Sequence, residues 1–224
     1  GGRHLGKSTI LQQVQVRFHK PANKEYAFYE MLDKELYGAG SDMSRENLEM
    51  AEEKIWGKLY EWLSTIAKIE ALPKDRSIQE VRNVVAESLI KNESLRLIAI
   101  FDEIDPILQI DSEHDFSIFR GLRDLIVRPE IIGRFKVIIG GLANVKRFEN
   151  SPNYPLTQLG SSVPISIMPA QEALQLILEP LNACGYTFEN PLSANRILAI
   201  TNRHPALVQV FCHELINHLA HSNR

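Results

Sequence analysis

Four short stretches of this chain carry side chains whose types and spacing suit phosphate chemistry. The first is GGRHLGKST, residues 1–9, with the spacing G-x-x-x-x-G-K-S running from Gly1 to Ser8. Successive backbone N–H groups in a glycine-rich turn make an anion cradle, and a helix that starts behind them adds its positive N-terminal end. In such a loop Gly1, Gly2, Arg3, His4, Leu5 and Gly6 surround the phosphates. Lys7 reaches the β- and γ-phosphates, Ser8 offers a hydroxyl to Mg2+, and Thr9 touches the α-phosphate.

The second stretch is LIAIFDEID, residues 97–105. An apolar strand that ends in an acid sets a carboxylate at the C-terminal edge of a sheet, where ligands bind. Asp102 is placed to hold Mg2+, directly or through water. Glu103 is placed to orient and deprotonate an attacking water. Asp105 and Asp111 read as a solvated acidic turn. The glycine loop and the strand acid predict each other, and together they imply a bound nucleoside triphosphate. No N-K-x-D guanine-reading pattern is present, which favours adenine.

The third stretch, VIIGGLANVKRFENSPN, is a buried strand stopped by two glycines. It is expected beside the Asp102 strand. Asn144, just past its end, is a candidate for contacting the γ-phosphate or the lytic water. Arg147 is a candidate for a phosphate in its own site or a neighbour's. The fourth, TNRHPALVQVFCHEL, holds His204 and Pro205. They are either an ordinary helix start, where proline is well tolerated, or a loop that lies on the adenine base. His213 and His218 are five apart on one helix, which is not metal-ligand spacing.

These residues need elements to hold them. STILQQVQVRF reads as the helix fed by the glycine loop, with Ile10, Leu11, Val14 and Phe18 at helical spacing. EYAFYEML reads as a short strand and YGAGSD as a turn. A long helix follows from a Ser44 cap, with Met50, Ile55, Leu59, Trp62 and Leu63 on its inner face. IQEVRNVVAESLIK and DFSIFRGLRDLIV read as further helices, and VPISI as a short strand. Alternating strands and helices imply an α/β parallel sheet. Beyond Pro169 three helical segments follow with no strand between them. The expected organisation is a nucleotide-binding core over 1–168, its first strand lying upstream of Gly1, and a helical subdomain over 169–224.

Composition agrees with an ordinary globular chain: 224 residues, 44% hydrophobic, 24% charged, net charge -3. That balance argues against a protein that binds nucleic acid mainly through phosphates. Two cysteines, Cys184 and Cys212, read as buried thiols in a reducing, cytoplasmic setting. No apolar run approaches the ~20 residues that cross a bilayer.

Taken together, GGRHLGKST, LIAIFDEID, GGLANVKRF and NRHPALVQVFCHEL resemble the STAND class of P-loop ATPases, relatives of the AAA+ proteins. The resemblance spans nearly the whole chain. It implies a P-loop NTPase core with a helical lid and a switch that holds ADP at rest and exchanges it for ATP. It also implies self-association on ATP binding, and sensor and effector domains that carry the output, in signalling or antiviral defence. By position, Gly1, Gly6, Lys7, Ser8 and Thr9 bind phosphates and Mg2+. Asp102 binds Mg2+, Glu103 is the catalytic base, and His204 and Pro205 lie near the adenine. One departure is clear: where the family carries an arginine near the end of the fourth strand, GGLAN stands, with Arg147 further on. A second expectation is an AAA+ machine acting in DNA replication, transposition or protein remodelling. A third is a binding module without hydrolysis, against which intact Lys7, Asp102 and Glu103 argue.

Overall fold

The computed structural model describes residues 5–32, 45–67, 69, 71–73, 75–142, 144–148, 154–190 and 192–222. Gly1, Gly2, Arg3 and His4, the expected turn over 37–42 and the expected cap Ser44 lie outside the described residues. The chain divides into two compact units: residues 8–162, and residues 163–224 together with 1–7.

In the larger unit, α1 (Lys7–Phe18) leads through a 3-10 turn into β1 (Glu25–Met31). A helical stretch follows: α2 (Arg45–Glu52), a π-helical turn (Glu53–Gly57) and α3 (Lys58–Ile66). Then come α4 (Ile78–Lys91), β2 (Arg96–Asp102), α5 (Asp105–Glu113), α6 (Ser117–Ile126), β3 (Phe135–Ile139), α7 (Asn144–Arg147) and α8 (Leu156–Leu159). The three strands found among the described residues lie in the order β1-β2-β3, all parallel. Met31 lies opposite Asp102, and Phe101 opposite Ile139. The α/β alternation and the neighbouring of β2 and β3 are as the sequence implies.

Partners across a parallel pair share a face, and successive residues alternate faces. One face of the sheet carries Tyr26 and Phe28 with Leu97, Ala99 and Phe101. Trp62 of α3 lies on it, its ring 5.3 Å from that of Phe28 and 5.6 Å from that of Phe101. The other face carries Ala27, Tyr29, Ile100 and Asp102, with Ala27 and Ile100 fully buried. Covering both faces demands apolar side chains at nearly every position of β2, which is why it reads as a continuous apolar run.

The helices behind that face show how local sequence sets the frame. Ser77 starts α4 with a reciprocal cap: its hydroxyl accepts from the Glu80 N–H, and the Glu80 carboxylate accepts from the Ser77 N–H. The π-helical turn sets both Ile55 and Trp56 in the core. The Arg82 guanidinium lies 4.9 Å from the Trp56 ring, and its Nη2 donates to Glu52 Oε1 at 2.6 Å.

Several expectations are corrected. VPISI is not a strand: Val163 is 81% exposed, and strand geometry persists only where a neighbour completes the ladder. Of the apolar positions of α1, Leu11 is buried, while Ile10 and Phe18 are exposed. Glutamines occupy much of this helix, so only a narrow stripe turns inward. Met50 is exposed because the buried stripe of its helix runs through Ala51, Ile55, Leu59 and Leu63, one position away. Residues 105–113 form α5 rather than a solvated turn, and Asp105 and Asp111 are both buried.

Asp111 explains that last correction. Its carboxylate accepts from the Ile118 and Phe119 N–H groups at 2.9 and 3.1 Å, and from the Ser117 hydroxyl at 3.2 Å. Asp115 and Phe116 just ahead adopt left-handed backbone, with φ near 57° and 55°. The sharp corner between α5 and α6 leaves the first N–H groups of α6 without partners in their own helix, and Asp111 serves them from one helix back.

The other unit holds α9 (Ala170–Ala183), α10 (Leu192–Thr201) and α11 (Pro205–Ser222). Ile177, Leu181, Ala194, Ile197, Val208 and Cys212 form its core. Cys212 is buried as expected. Cys184 is exposed, because it ends α9 rather than facing the other helices. No helix among the described residues is long and apolar enough to cross a membrane.

Candidate functional site at the C-terminal edge of the sheet

The site is built where β2 stops. Asp102 is the last residue of that strand and only 1% exposed. Its backbone carbonyl accepts from the Leu32 N–H at 3.0 Å, which ties the strand end to the residue after β1. The Gly140 N–H donates to the Phe101 carbonyl at 2.7 Å, and the Ile104 N–H donates to the Gly140 carbonyl at 3.0 Å. The backbone around the acid is therefore held from both neighbouring strands.

The carboxylate itself has two engaged oxygens. Oδ1 accepts from the Glu103 N–H at 2.9 Å. Oδ2 accepts from the Tyr29 phenol at 3.0 Å. Tyr29 and Asp102 share a face of the sheet, with Tyr29 two residues before the Met31 that pairs with Asp102. A phenol is long enough to cover that diagonal. The Ser8 hydroxyl, in the first turn of α1, faces the same phenol as a donor and pulls its pKa down. Burial and the carboxylates of Asp102 and Glu103 push the Tyr29 pKa up to about 12, with Ser8 opposing. The phenol is a neutral donor at every physiological pH.

Glycine 140 makes room for this arrangement. A Cβ there would lie 2.5 Å from Asp102 Oδ1 and 2.7 Å from Leu11 Cδ1. The glycine that stops β3 is thus where α1 and the Asp102 carboxylate close on the sheet edge. Glu103, directly after Asp102, is half-buried and sits in left-handed backbone at φ 54°. Only a few per cent of non-glycine residues adopt such backbone, and they cluster where structure over-determines the chain. Here the turn is fixed by the Glu103 N–H on Asp102 and by the Ile104 N–H on Gly140.

Ser8, Asp102 and Glu103 are thus brought together within one compact unit. Leu5 is buried, Gly6 has φ 82°, a backbone that favours glycine, and Lys7 opens α1. Thr9 is exposed on α1. Gly1, Gly2, Arg3 and His4 are outside the described residues. Asn144 opens α7 just beyond β3. Arg147, at the end of α7, is exposed; its Nη1 donates to Gln109 Oε1 at 3.4 Å and its guanidinium lies 5.4 Å from the Phe148 ring. The Asp105 carboxylate accepts from the Leu142 N–H at 2.5 Å and so pins the segment between β3 and α7. His204 and Pro205 lie in the other unit, where Pro205 opens α11 after left-handed Asn202 and Arg203.

Sequence reasoning missed Tyr29 and Gly140. The glycine left a signal, since a glycine pair that ends a buried strand marks close approach of something. Tyr29 left none: EYAFYEM holds three aromatics, two of them adjacent, and pairing register alone decides which one meets an acid. Among the described residues no three His, Cys, Asp or Glu side chains gather into a metal-type cluster. No protein-family model, curated protein or solved structure matches this chain.

Proposed function

We propose that the chain binds and hydrolyses ATP and works as a nucleotide-controlled switch of the STAND type, the P-loop ATPase class its motifs resemble. The observation that carries this reading is that α1, with Ser8 in its first turn, and Asp102 close on the same point, Gly140, at the C-terminal edge of a parallel sheet, where Tyr29 donates to Asp102. Ser8 and Asp102 are far apart in sequence, belong to two separate motifs, and each motif demands the other. The edge of such a sheet is where α/β proteins hold ligands.

The residues present suit magnesium. A hydroxyl and a carboxylate are hard oxygen donors, and Mg2+ takes one or two such protein ligands with phosphate and water completing its shell. Ser8 and Asp102 would hold it, and when bound the ion draws charge from the phosphate oxygens. The glycine loop through Gly6 offers N–H groups to the phosphates. Lys7 offsets the charge that develops on them. Glu103 orients the attacking water and takes its proton, and its turn holds the carboxylate next to Asp102 without using it for the core.

The test is binding. A fluorescent ATP analogue with Mg2+ should bind the wild type, and Lys7→Ala should weaken that binding by about a hundredfold or more, the scale of losing a charge-assisted phosphate contact. Absence of binding to the wild type, or equal binding by Lys7→Ala, overturns the reading.

A further inference from the structure

We infer that Tyr29 sets the divalent-cation requirement of this site: its phenol holds Asp102 Oδ2 beside Ser8, and a cation bound between Ser8 and Asp102 would displace it. The inference rests on the nucleotide reading above and adds to it a residue that neither motif contains.

The argument starts from what each oxygen of Asp102 is doing. Oδ1 is held by the Glu103 N–H, a bond built into the turn that follows β2. It cannot be given up without rebuilding that turn. Oδ2 is held by a side chain, the Tyr29 phenol. That bond can be exchanged by rotating one ring. The phenol also faces Ser8, the other candidate ligand. The phenol therefore occupies Asp102 Oδ2 and turns the Ser8 proton toward itself, so it stands between the two groups that a cation would need.

Sheet geometry keeps it there. Tyr29 sits inside β1, its neighbours Phe28 and Glu30 face away from Asp102, and Met31, opposite the acid, has no side-chain donor, so Tyr29 is the residue of the strand that can hydrogen-bond it. On the side of Gly140 the carboxylate has no slack, since even a methyl group would collide with Oδ1. A hard cation approaching Asp102 meets the phenol. Removing the hydroxyl while keeping the ring leaves Asp102 Oδ2 open to the cation and relieves it of breaking the Tyr29–Asp102 hydrogen bond.

Tyr29→Phe is thus expected to bind the Mg2+–nucleotide pair more readily. At fixed ATP analogue, the Mg2+ concentration giving half-maximal nucleotide binding should fall by about tenfold, the factor a hydrogen bond to a charged acceptor is worth. Binding of the analogue in EDTA should be the same in the two proteins, because the phenol acts on Asp102, an expected ligand of the cation. A purely structural role predicts the reverse: lower melting temperature and weaker binding with and without the metal.

A second readout uses the unaltered side chain. With fluorotyrosine incorporated, the 19F resonance missing from Tyr29→Phe marks this ring. It should shift on adding Mg2+ with nucleotide and stay in place with nucleotide in EDTA. An unchanged Mg2+ midpoint in Tyr29→Phe, or a resonance indifferent to Mg2+, overturns the role of Tyr29 while leaving nucleotide binding intact. Failure of the wild type to bind nucleotide with or without Mg2+ instead overturns the underlying reading, and this inference with it.

Discussion

Asp102 and Asp111 are both buried carboxylates, one at the end of β2 and one in the helix that follows. Their surroundings differ in kind. Asp111 accepts from two backbone N–H groups and a hydroxyl at the start of α6, all fixed by the helix it caps. Burial pushes its pKa up to about 6, and those three donors pull against the rise. Asp102 accepts one backbone N–H from its own turn and one phenol from another strand. A carboxylate surrounded by backbone donors is part of the frame. A carboxylate held by an exchangeable side chain, at a sheet edge and beside a second acid, is available to a ligand. Burial alone does not tell the two apart; the identity of the donors does.

Three experiments would break or sharpen that contrast. The largest expected effect is at Glu103, the acid that shares the turn of Asp102. Glu103→Gln should keep ATP bound and cut turnover by about a thousandfold, within the usual range for a positioned general base. Turnover at the wild-type rate would remove Glu103 from the chemistry.

The next is at Asp111, and it concerns stability alone. A carboxyl whose folded pKa lies above its unfolded one favours the folded state most when protonated, so its contribution falls as pH rises from about 4 through about 6. Wild type should therefore lose about 2 kcal/mol relative to Asp111→Asn between pH 4 and pH 7. The comparison of melting curves cancels the carboxylates that do not interact with Asp111, while the repulsion from Glu52 is part of the difference it reads. Nucleotide binding by Asp111→Asn, measured where it is folded, should match wild type. A flat difference, or a loss of binding, would erase the distinction between the two acids.

The smallest effect is at Gly140. Gly140→Ala puts a methyl group against Asp102 Oδ1 and Leu11, both able to yield at some cost. Stability should drop by about 1 kcal/mol, the lower end of overpacking. Mg2+-dependent binding should drop more than binding in EDTA, because the methyl group moves the Asp102 carboxylate. Equal losses in both conditions would show that the close approach serves packing only.

Much of the frame was legible. β2 announces itself as a long apolar run ending in acids, and α4 by the amphipathic pattern of IQEVRNVVAESLIK. What was not legible depended on partners distant in sequence. VPISI has the composition of a strand, yet composition cannot supply the neighbour that a ladder needs. Residues 105–113 look polar enough for a turn because Asp105 and Asp111 are counted as solvated. Only the backbone N–H groups they meet, at Leu142, Ile118 and Phe119, turn them into interior residues.

The candidate site divides the same way. Sequence by itself determined that a glycine loop leads into a helix, that an apolar strand ends in Asp102 and Glu103, and that two glycines stop β3. Each of these is local: backbone freedom, apolar pattern and chain order are properties of adjacent residues. Tertiary structure decided that Ser8 and Asp102 meet, that Tyr29 stands between them, that Gly140 clears the space, and that Arg147 rests on Gln109 and Phe148. Those outcomes follow from which strands pair and in what register. A one-residue slip of β1 would turn Tyr29 to the opposite face and leave Asp102 Oδ2 without its phenol.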